Sequence, residues 1–112
     1  MIEAMWAVNF ATTAGAFGNG VVVFETGKIF GGDSMYYYTG NYTVSGHAIN
    51  ANVKVKHYAG PKQNIMGMGI DELNLKTSGQ IQNTTSASAQ GTDPRFPGQP
   101  ISMTFRKLAD LP

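Results

Sequence analysis

Asp33 lies in the most suggestive chemical setting of this sequence, directly after two glycines. Gly31-Gly32-Asp33 looks like part of a nucleotide-binding loop. Such a loop needs a helix after it, because the helix N-terminus binds the phosphate, and it needs a Lys-Ser/Thr partner. A tyrosine-rich segment follows instead. We therefore interpret Gly31, Gly32 and Asp33 as a structural turn, in which the glycines take special dihedral angles and Asp33 accepts hydrogen bonds from backbone N–H groups.

Three consecutive tyrosines come next, and tyrosines can form a platform on which nucleic-acid bases stack. Consecutive residues of a strand point to opposite faces, so Tyr36 and Tyr38 share one face and Tyr37 lies on the other. Stacking on single-stranded nucleic acid also needs a positively charged groove. The chain has 8 Lys and Arg against 7 Asp and Glu, a net charge of +1. We expect packing tyrosines and no direct nucleic-acid binding.

The remaining acids and histidines do not form a catalytic or metal-binding pattern. Asp71 and Glu72 are adjacent, so on a strand they point to opposite faces and cannot share a proton. His47 and His57 are ten residues apart, which on one straight strand is about 33 Å. We interpret His57 as a hydrogen-bonded core or rim residue. We expect no metal, no cofactor and no enzyme activity, since an enzyme would require Asp33, Asp71 or His57 to converge at one site.

Length and composition indicate one soluble domain. A chain of 112 residues, 42% of them hydrophobic, can form one core without disulfides, and it contains no cysteine. The N-terminus lacks the basic start and unbroken apolar run of a signal peptide. No segment approaches the roughly 18 apolar residues of a membrane helix. We expect a single domain over residues 1–112, located in the cytoplasm and not in a membrane.

Hydrophobic residues alternate with polar ones along most of the chain, which predicts β-strands. The segment from about His47 to Tyr58 is the clearest, with alternate residues facing inward. Ile70–Ser78 and Gln80–Gln90 are predicted as separate strands divided at Gly79, with a further turn possible at Gln82-Asn83. One helical turn is predicted over Pro61–Met66.

About eight short strands without long helices predict an all-β fold that closes into a meander barrel, which hides both sheet edges. An eight-stranded barrel holds side chains or one small ligand. The residues predicted to line or plug the interior are Trp6, Phe10, Phe24, Val53, Val55, Leu73, Leu75, Met103 and Phe105. The small residues of Thr84–Ala89 either leave interior space or form a loose hairpin edge.

Five segments together carry a resemblance that covers nearly the whole chain. They are Trp6–Phe10, Gly18–Phe24, Lys28–Asp33, Tyr36–Tyr42 and Arg106–Pro112. In them the chain resembles the GrlR-like family, whose named member represses a type III secretion regulon. The most specific part is Gly-Gly-Asp followed by the tyrosine-rich strand and Gly40.

The resemblance implies a lipocalin- or streptavidin-like barrel that forms a homodimer, with Gly31-Gly32-Asp33 as a structural turn. It also implies an anti-activator, which binds a helix-turn-helix transcriptional activator and keeps it off DNA. The family repressor contacts its partner through four acidic residues in a hairpin. That hairpin falls on Ser45, Gly46, His47 and Ala48, which makes these the candidate partner-binding residues, although none of them is acidic.

Two functions therefore follow from the sequence. The first is a regulator that binds other proteins, and the second is a binder of a small apolar ligand inside the barrel. An interior packed at ordinary protein density leaves no room for a ligand. Whether the barrel is filled is thus the observation that separates the two functions.

Overall fold

A computed structural model describes residues 2–13, 15–61 and 70–112 of the chain. These residues form eight β-strands, which close into one barrel. The strands are β1 (Ala4–Thr12), β2 (Phe17–Glu25), β3 (Lys28–Gly32), β4 (Tyr36–Ser45), β5 (Ala48–His57), β6 (Glu72–Asn83), β7 (Ser86–Thr92) and β8 (Ile101–Ala109). The prediction of an all-β meander barrel is confirmed. The described residues contain no helix that is long and apolar enough to cross a membrane.

Each strand pairs antiparallel with the next one, and β8 pairs with β1 to close the sheet. The connections therefore alternate between the two ends of the barrel. We call the end with the β1–β2, β3–β4, β5–β6 and β7–β8 connections the mouth end, and the opposite end the hairpin end. At the hairpin end β2 and β3 are joined by Thr26 and Gly27, both with positive φ (50° and 78°), as expected for Gly27 from the sequence.

The N-terminal segment covers the hairpin end. Ile2 is buried, and its carbonyl accepts a hydrogen bond of 2.9 Å from the indole Nε1 of Trp6. The carboxylate of Glu3 accepts a hydrogen bond of 2.7 Å from the backbone N–H of Thr26. Trp6 is 1% exposed and packs edge-on against Phe24 with ring centroids 6.4 Å apart. An aromatic core and the chain that precedes β1 thus pack at this end of the barrel.

Gly31 and Gly32 belong to strand β3, which corrects their interpretation as turn residues with special dihedral angles. Neither glycine has a positive φ. Gly31 is required because strands β2 and β3 approach closely: a Cβ atom there would lie 2.1 Å from the carbonyl oxygen of Val21. The sequence pattern predicts a break at both glycines, because a turn and a close approach of backbones both favour glycine.

Strand β6 runs without interruption through Gly79, which corrects the prediction of two strands divided there. Gly79 pairs with both Ile49 and Ala89, so it lies in the middle of the sheet. The chain turns at Thr84 and Thr85 instead, between β6 and β7. The helical turn predicted over residues 61–66 falls almost entirely outside the described residues.

Candidate functional site

The interior of the barrel contains a cavity of about 460 Å³, and its wall is mainly apolar. All nine residues predicted to line or plug the interior contribute to this wall. The volume falls in the lower part of the range of roughly 300–1,000 Å³ that is usual for small-molecule sites. The interior is therefore only partly filled by side chains.

Room for the cavity comes from an uneven distribution of large and small side chains. One part of the wall carries aromatic rings, among them Phe24 and Phe105, whose centroids are 6.0 Å apart. The wall formed by β5, β6 and β7 includes the small side chains Ala51, Ala87 and Ala89 beside larger ones such as Leu73 and Leu75. The segment 84–89 was predicted either to leave space inside the barrel or to form a loose hairpin edge. Its alanines, Ala87 and Ala89, line the cavity and thus support the first interpretation.

Thr77 places a hydroxyl group on this small-residue wall. Its Oγ1 atom is buried and has no hydrogen-bond partner among the described residues. Ala51 and Gly91 are its cross-strand neighbours, and a Cβ atom on Gly91 would lie 2.7 Å from Thr77 Oγ1. Glycine at position 91 therefore makes room for this hydroxyl.

The cavity wall reaches the mouth end at two connections. The β1–β2 side contributes residues 16–19, and the β3–β4 side contributes residues 33–35. Phe17 is 81% exposed although it also contributes to the cavity lining, so it lies at the rim. An exposed aromatic residue thus lies beside the apolar cavity at the mouth end.

Asp33 accepts several hydrogen bonds that connect the segments at the mouth end. Its Oδ1 atom accepts hydrogen bonds of 2.8 Å from the backbone N–H groups of Met35 and Tyr36, as expected from the sequence. Its Oδ2 atom accepts a hydrogen bond from the Tyr38 hydroxyl, and its carbonyl accepts one of 2.7 Å from Tyr58. Burial and the bond to Asp33 raise the pKa of Tyr38, which therefore stays a neutral donor.

The three tyrosines take the faces that the alternation predicts. Tyr36 and Tyr38 are buried and line the cavity, whereas Tyr37 is 41% exposed on the outer face. The hydroxyl of Tyr36 donates a hydrogen bond of 2.6 Å to the carbonyl of Ile70. Burial, followed by the charges of Asp33 and Asp71, raises the pKa of Tyr36.

Asp33, Asp71 and His57 all lie at the mouth end, but each side chain contacts a different group. His57 packs against the ring of Tyr36 at 5.4 Å, and its Nε2 lies 2.7 Å from the carbonyl oxygen of Gly60. Asp71 lies 2.5 Å from Lys56 Nζ. His57 is thus a hydrogen-bonded rim residue, the interpretation reached from the sequence.

Asp71 and Glu72 both face Lys56, which corrects the expectation that they point to opposite faces. The Lys56 Nζ atom lies 3.8 Å from a Glu72 carboxylate oxygen in addition to its contact with Asp71. Strand β6 begins only at Glu72, so the alternation of a strand does not apply to Asp71. The hydrogen bond to Asp71 raises the pKa of Lys56. The group is an ion-pair cluster at the barrel surface.

A buried carboxylate fixes the long β7–β8 connection to the barrel. Asp93 is 3% exposed and accepts hydrogen bonds from Arg95 Nη2 and from the backbone N–H of Asn74, both at 2.9 Å. Arg95 also donates a hydrogen bond of 2.6 Å to the carbonyl of Glu72. The bond from Arg95 is the main reason that the pKa of Asp93 falls to about 2.

An apolar patch lies on the outer face of strands β1 to β4. Met5, Val23 and Phe30 are cross-strand neighbours, and in the next row Val21 lies beside Gly32, which in turn pairs with Tyr37. Side chains of directly paired residues lie on the same face of a sheet. Phe30 is 50% exposed, and Tyr58 extends the patch with its ring 6.3 Å from that of Tyr37. We call this surface the β1–β4 outer patch.

The candidate partner-binding residues lie at the hairpin end, away from the mouth. Ser45, Gly46 and His47 are exposed and Ala48 is half-buried, and Ser45 pairs with Ala48 across a two-residue turn. The hairpin is therefore accessible at the surface. It lies at the opposite end of the barrel from the cavity rim, and the residue that follows it, Ile49, lines the cavity wall.

The cavity wall extends beyond the nine residues predicted to line or plug it. Tyr36, Tyr38, Ala51 and Thr77 also line the cavity. The two-residue alternation already places each of them inward. Among the described residues, no group of three His, Asp or Glu side chains is arranged to hold a metal ion.

No protein-family model matches this chain, and neither does any curated protein. A solved structure described as a redesigned β-barrel is similar to it, with a TM-score of 0.68. The similarity covers 96% of this chain and 91% of that chain at 14% sequence identity. At this identity the comparison establishes the β-barrel fold alone.

Proposed function

We propose that this protein binds a small apolar ligand inside its barrel. The observation that supports this function is the apolar cavity of about 460 Å³, which has its rim at the mouth end. Filling this volume with side chains would be the simpler way to stabilise a barrel, since each buried CH₂ group contributes about 0.8 kcal/mol. A partly filled apolar interior is the property that a ligand-binding barrel requires.

Two substitutions on neighbouring residues of β7 test this function. Ala89→Phe directs a large ring into the cavity, whereas Gln90→Phe adds the same ring to the exposed outer face. We expect the wild-type protein and the Gln90→Phe variant to bind N-phenyl-1-naphthylamine, a neutral fluorescent probe of apolar sites. The Ala89→Phe variant should lose this binding while keeping its β-sheet circular dichroism. Equal probe binding by all three proteins would place the probe outside the barrel and contradict the proposal.

A second candidate function is favoured by the β1–β4 outer patch. We propose that the protein also acts through protein contacts, as a cytoplasmic bacterial regulator of the kind implied by the resemblance to the GrlR-like family. The exposed aromatic rings of Phe30, Tyr37 and Tyr58 support a homodimer on this patch, because aromatic residues are enriched at protein interfaces. A transcriptional activator would then contact the Ser45–Ala48 hairpin at the hairpin end.

Light scattering tests the homodimer directly. Phe30→Lys should convert a dimer into a monomer, because it places a charge within the apolar patch. Asn50→Lys, on the exposed outer face of β5, is the matched control and should leave the mass unchanged. A wild-type protein that is monomeric at all accessible concentrations would contradict the dimer. Replacing the hairpin residues 45–48 without losing any cellular interaction would contradict the partner site.

A further inference from the structure

The polar groups on the cavity wall restrict the chemistry of the ligand. Of the described residues that line the cavity, Asp33 is the single one with a charged side chain, and that charge is negative. Deeper in the wall, Thr77 presents a hydroxyl that makes no hydrogen bond to the described residues. We propose that the ligand is an uncharged apolar molecule with one hydrogen-bonding group, which Thr77 binds, and that the cavity rejects carboxylates. This inference rests on the proposed ligand-binding function.

Asp33 opposes an anionic ligand because its carboxylate is fixed at the mouth. Three donors hold it there: the backbone N–H groups of Met35 and Tyr36 and the hydroxyl of Tyr38. These donors keep the carboxylate in place beside the apolar wall. A ligand carboxylate in the cavity would lose its hydration and would also meet a like charge, and both effects are unfavourable.

The basic side chains described at the mouth end already contact other groups of the protein. Lys56 Nζ lies 2.5 Å from Asp71 and 3.8 Å from Glu72, and Arg95 bonds to Asp93. The remaining one, His57, has its Nε2 atom 2.7 Å from the carbonyl oxygen of Gly60. None of these three basic side chains lines the cavity. Among the described residues of this wall, a ligand carboxylate would therefore meet no counter-charge.

Thr77 supplies the polar contact instead. A buried hydroxyl without a partner costs free energy, and a partner supplied by a ligand recovers part of that cost. The hydroxyl can both donate and accept, so it suits an alcohol, an ether or a ketone. Its directly paired neighbours are small, with Ala51 on one adjacent strand and Gly91 on the other. Oγ1 has almost no exposed surface in the ligand-free protein, so it contacts a ligand once the Thr77 side chain rotates its hydroxyl toward the cavity.

Three ten-carbon compounds separate the effect of a ligand charge from that of a ligand hydroxyl group: 1-decanol, decanoate and decane. Each is titrated against bound N-phenyl-1-naphthylamine at about pH 7.5, where a carboxylic acid is ionised. We expect decanol to displace the probe and decanoate to require at least about a tenfold higher concentration. In the Thr77→Val variant, decanol should bind roughly fivefold more weakly, whereas decane should bind unchanged. Thr77→Ser, which keeps the hydroxyl, should retain the preference for decanol.

The pH dependence of decanoate gives a second readout. If only the neutral acid enters the cavity, its apparent affinity should rise about tenfold for each unit of pH lowered between about 7.5 and 5.5, because the protonated fraction rises by that factor. The affinity of decanol should stay constant over the same range, which controls for changes in the protein itself.

Each contrary result has a distinct meaning. If decanoate displaces the probe as well as decanol does at pH 7.5, the rejection of carboxylates is overturned while ligand binding stands. An unchanged decanol-to-decane ratio in Thr77→Val would overturn the role of Thr77. If neither the probe nor any of the three compounds binds the wild-type protein, the proposed ligand-binding function fails and this inference fails with it.

Discussion

The carboxylate of Asp33 accepts a hydrogen bond from the hydroxyl of Tyr38, which joins the loop after β3 to the strand that follows it at the mouth of the cavity. The Tyr38 side chain is buried, so loss of its hydroxyl would leave an oxygen of Asp33 short of a donor. We expect Tyr38→Phe to lower the free energy of unfolding by about 1–3 kcal/mol. Urea denaturation measures this change.

Tyr58→Phe is the matched control for that substitution. The Tyr58 hydroxyl also donates to Asp33, but to its backbone carbonyl and at an exposed position. Water can replace this bond, so we expect a loss below about 1 kcal/mol. Equal losses of unfolding free energy in the two variants would mean that the buried bond to the carboxylate stabilises the fold no more than the exposed bond to the carbonyl.

Asp93 should make the stability of the protein depend on acid pH. Its pKa is about 2 in the folded protein, below the ordinary value of 3.8, mainly because of the hydrogen bond from Arg95. The unfolded chain therefore takes up the proton first as the pH falls, and the stabilising contribution, complete above about pH 4, is lost between about pH 4 and pH 2.

The Asp93→Asn variant isolates this contribution. At neutral pH we expect it to be less stable than the wild-type protein by roughly 1.5–3 kcal/mol, because charge-assisted hydrogen bonds are lost. The difference in the free energy of unfolding should shrink as the pH falls from about 4 to about 2. A difference that stays constant over this range would show that the charge of Asp93 does not stabilise the fold.

Gly31→Ala should destabilise the barrel by roughly 3 kcal/mol, because the new methyl group would lie 2.1 Å from the carbonyl oxygen of Val21. Backbone of a neighbouring strand cannot move away without breaking the pairing of β2 with β3. Gly98→Ala is the control, since no atom lies within 4 Å of a Cβ at that position. Thermal unfolding of the two variants compares them, and similar melting temperatures would contradict the close approach.

Thr77→Val should stabilise the ligand-free protein by about 1 kcal/mol, the opposite sign to its expected effect on decanol binding. Valine has nearly the same shape as threonine and removes a buried hydroxyl that has no partner among the described residues. Thr39→Val, on the exposed face of β4, is the control for strand propensity and should change stability by less than about 0.5 kcal/mol. Destabilisation by Thr77→Val would mean that the hydroxyl has a partner within the protein.

The sequence predicted the eight-stranded barrel and nine residues of the cavity wall, because alternation along a strand directly reports which side chains face inward. It misplaced Gly31 and Gly79, since glycine is favoured both at turns and where two strands come close, and only the pairing distinguishes these cases. The prediction that Asp71 and Glu72 point to opposite faces was wrong, because strand alternation applies only from Glu72, where β6 begins.

No single segment of the sequence predicts the cavity. Its size depends on the sum of side-chain volumes across the whole barrel, where Ala51, Ala87 and Ala89 lie together on the wall formed by β5 to β7. Ala51 is far in the sequence from Ala87 and Ala89, and it joins them on one wall only through the register of the strands. The charge of Asp33, the single one on the described part of the wall, likewise faces the cavity only because the strands close into a barrel.

Native mass spectrometry of the protein, purified from the cells in which it is naturally made, tests the central claim that the barrel holds a ligand. We predict an additional mass of roughly a few hundred daltons, in line with a cavity of this size, that is lost on denaturation. The Gln90→Phe variant should carry the same mass, and the Ala89→Phe variant should lack it. A wild-type protein that shows only the bare polypeptide mass, as monomer or dimer, would contradict the ligand-binding function and leave the protein-contact function as the one to pursue.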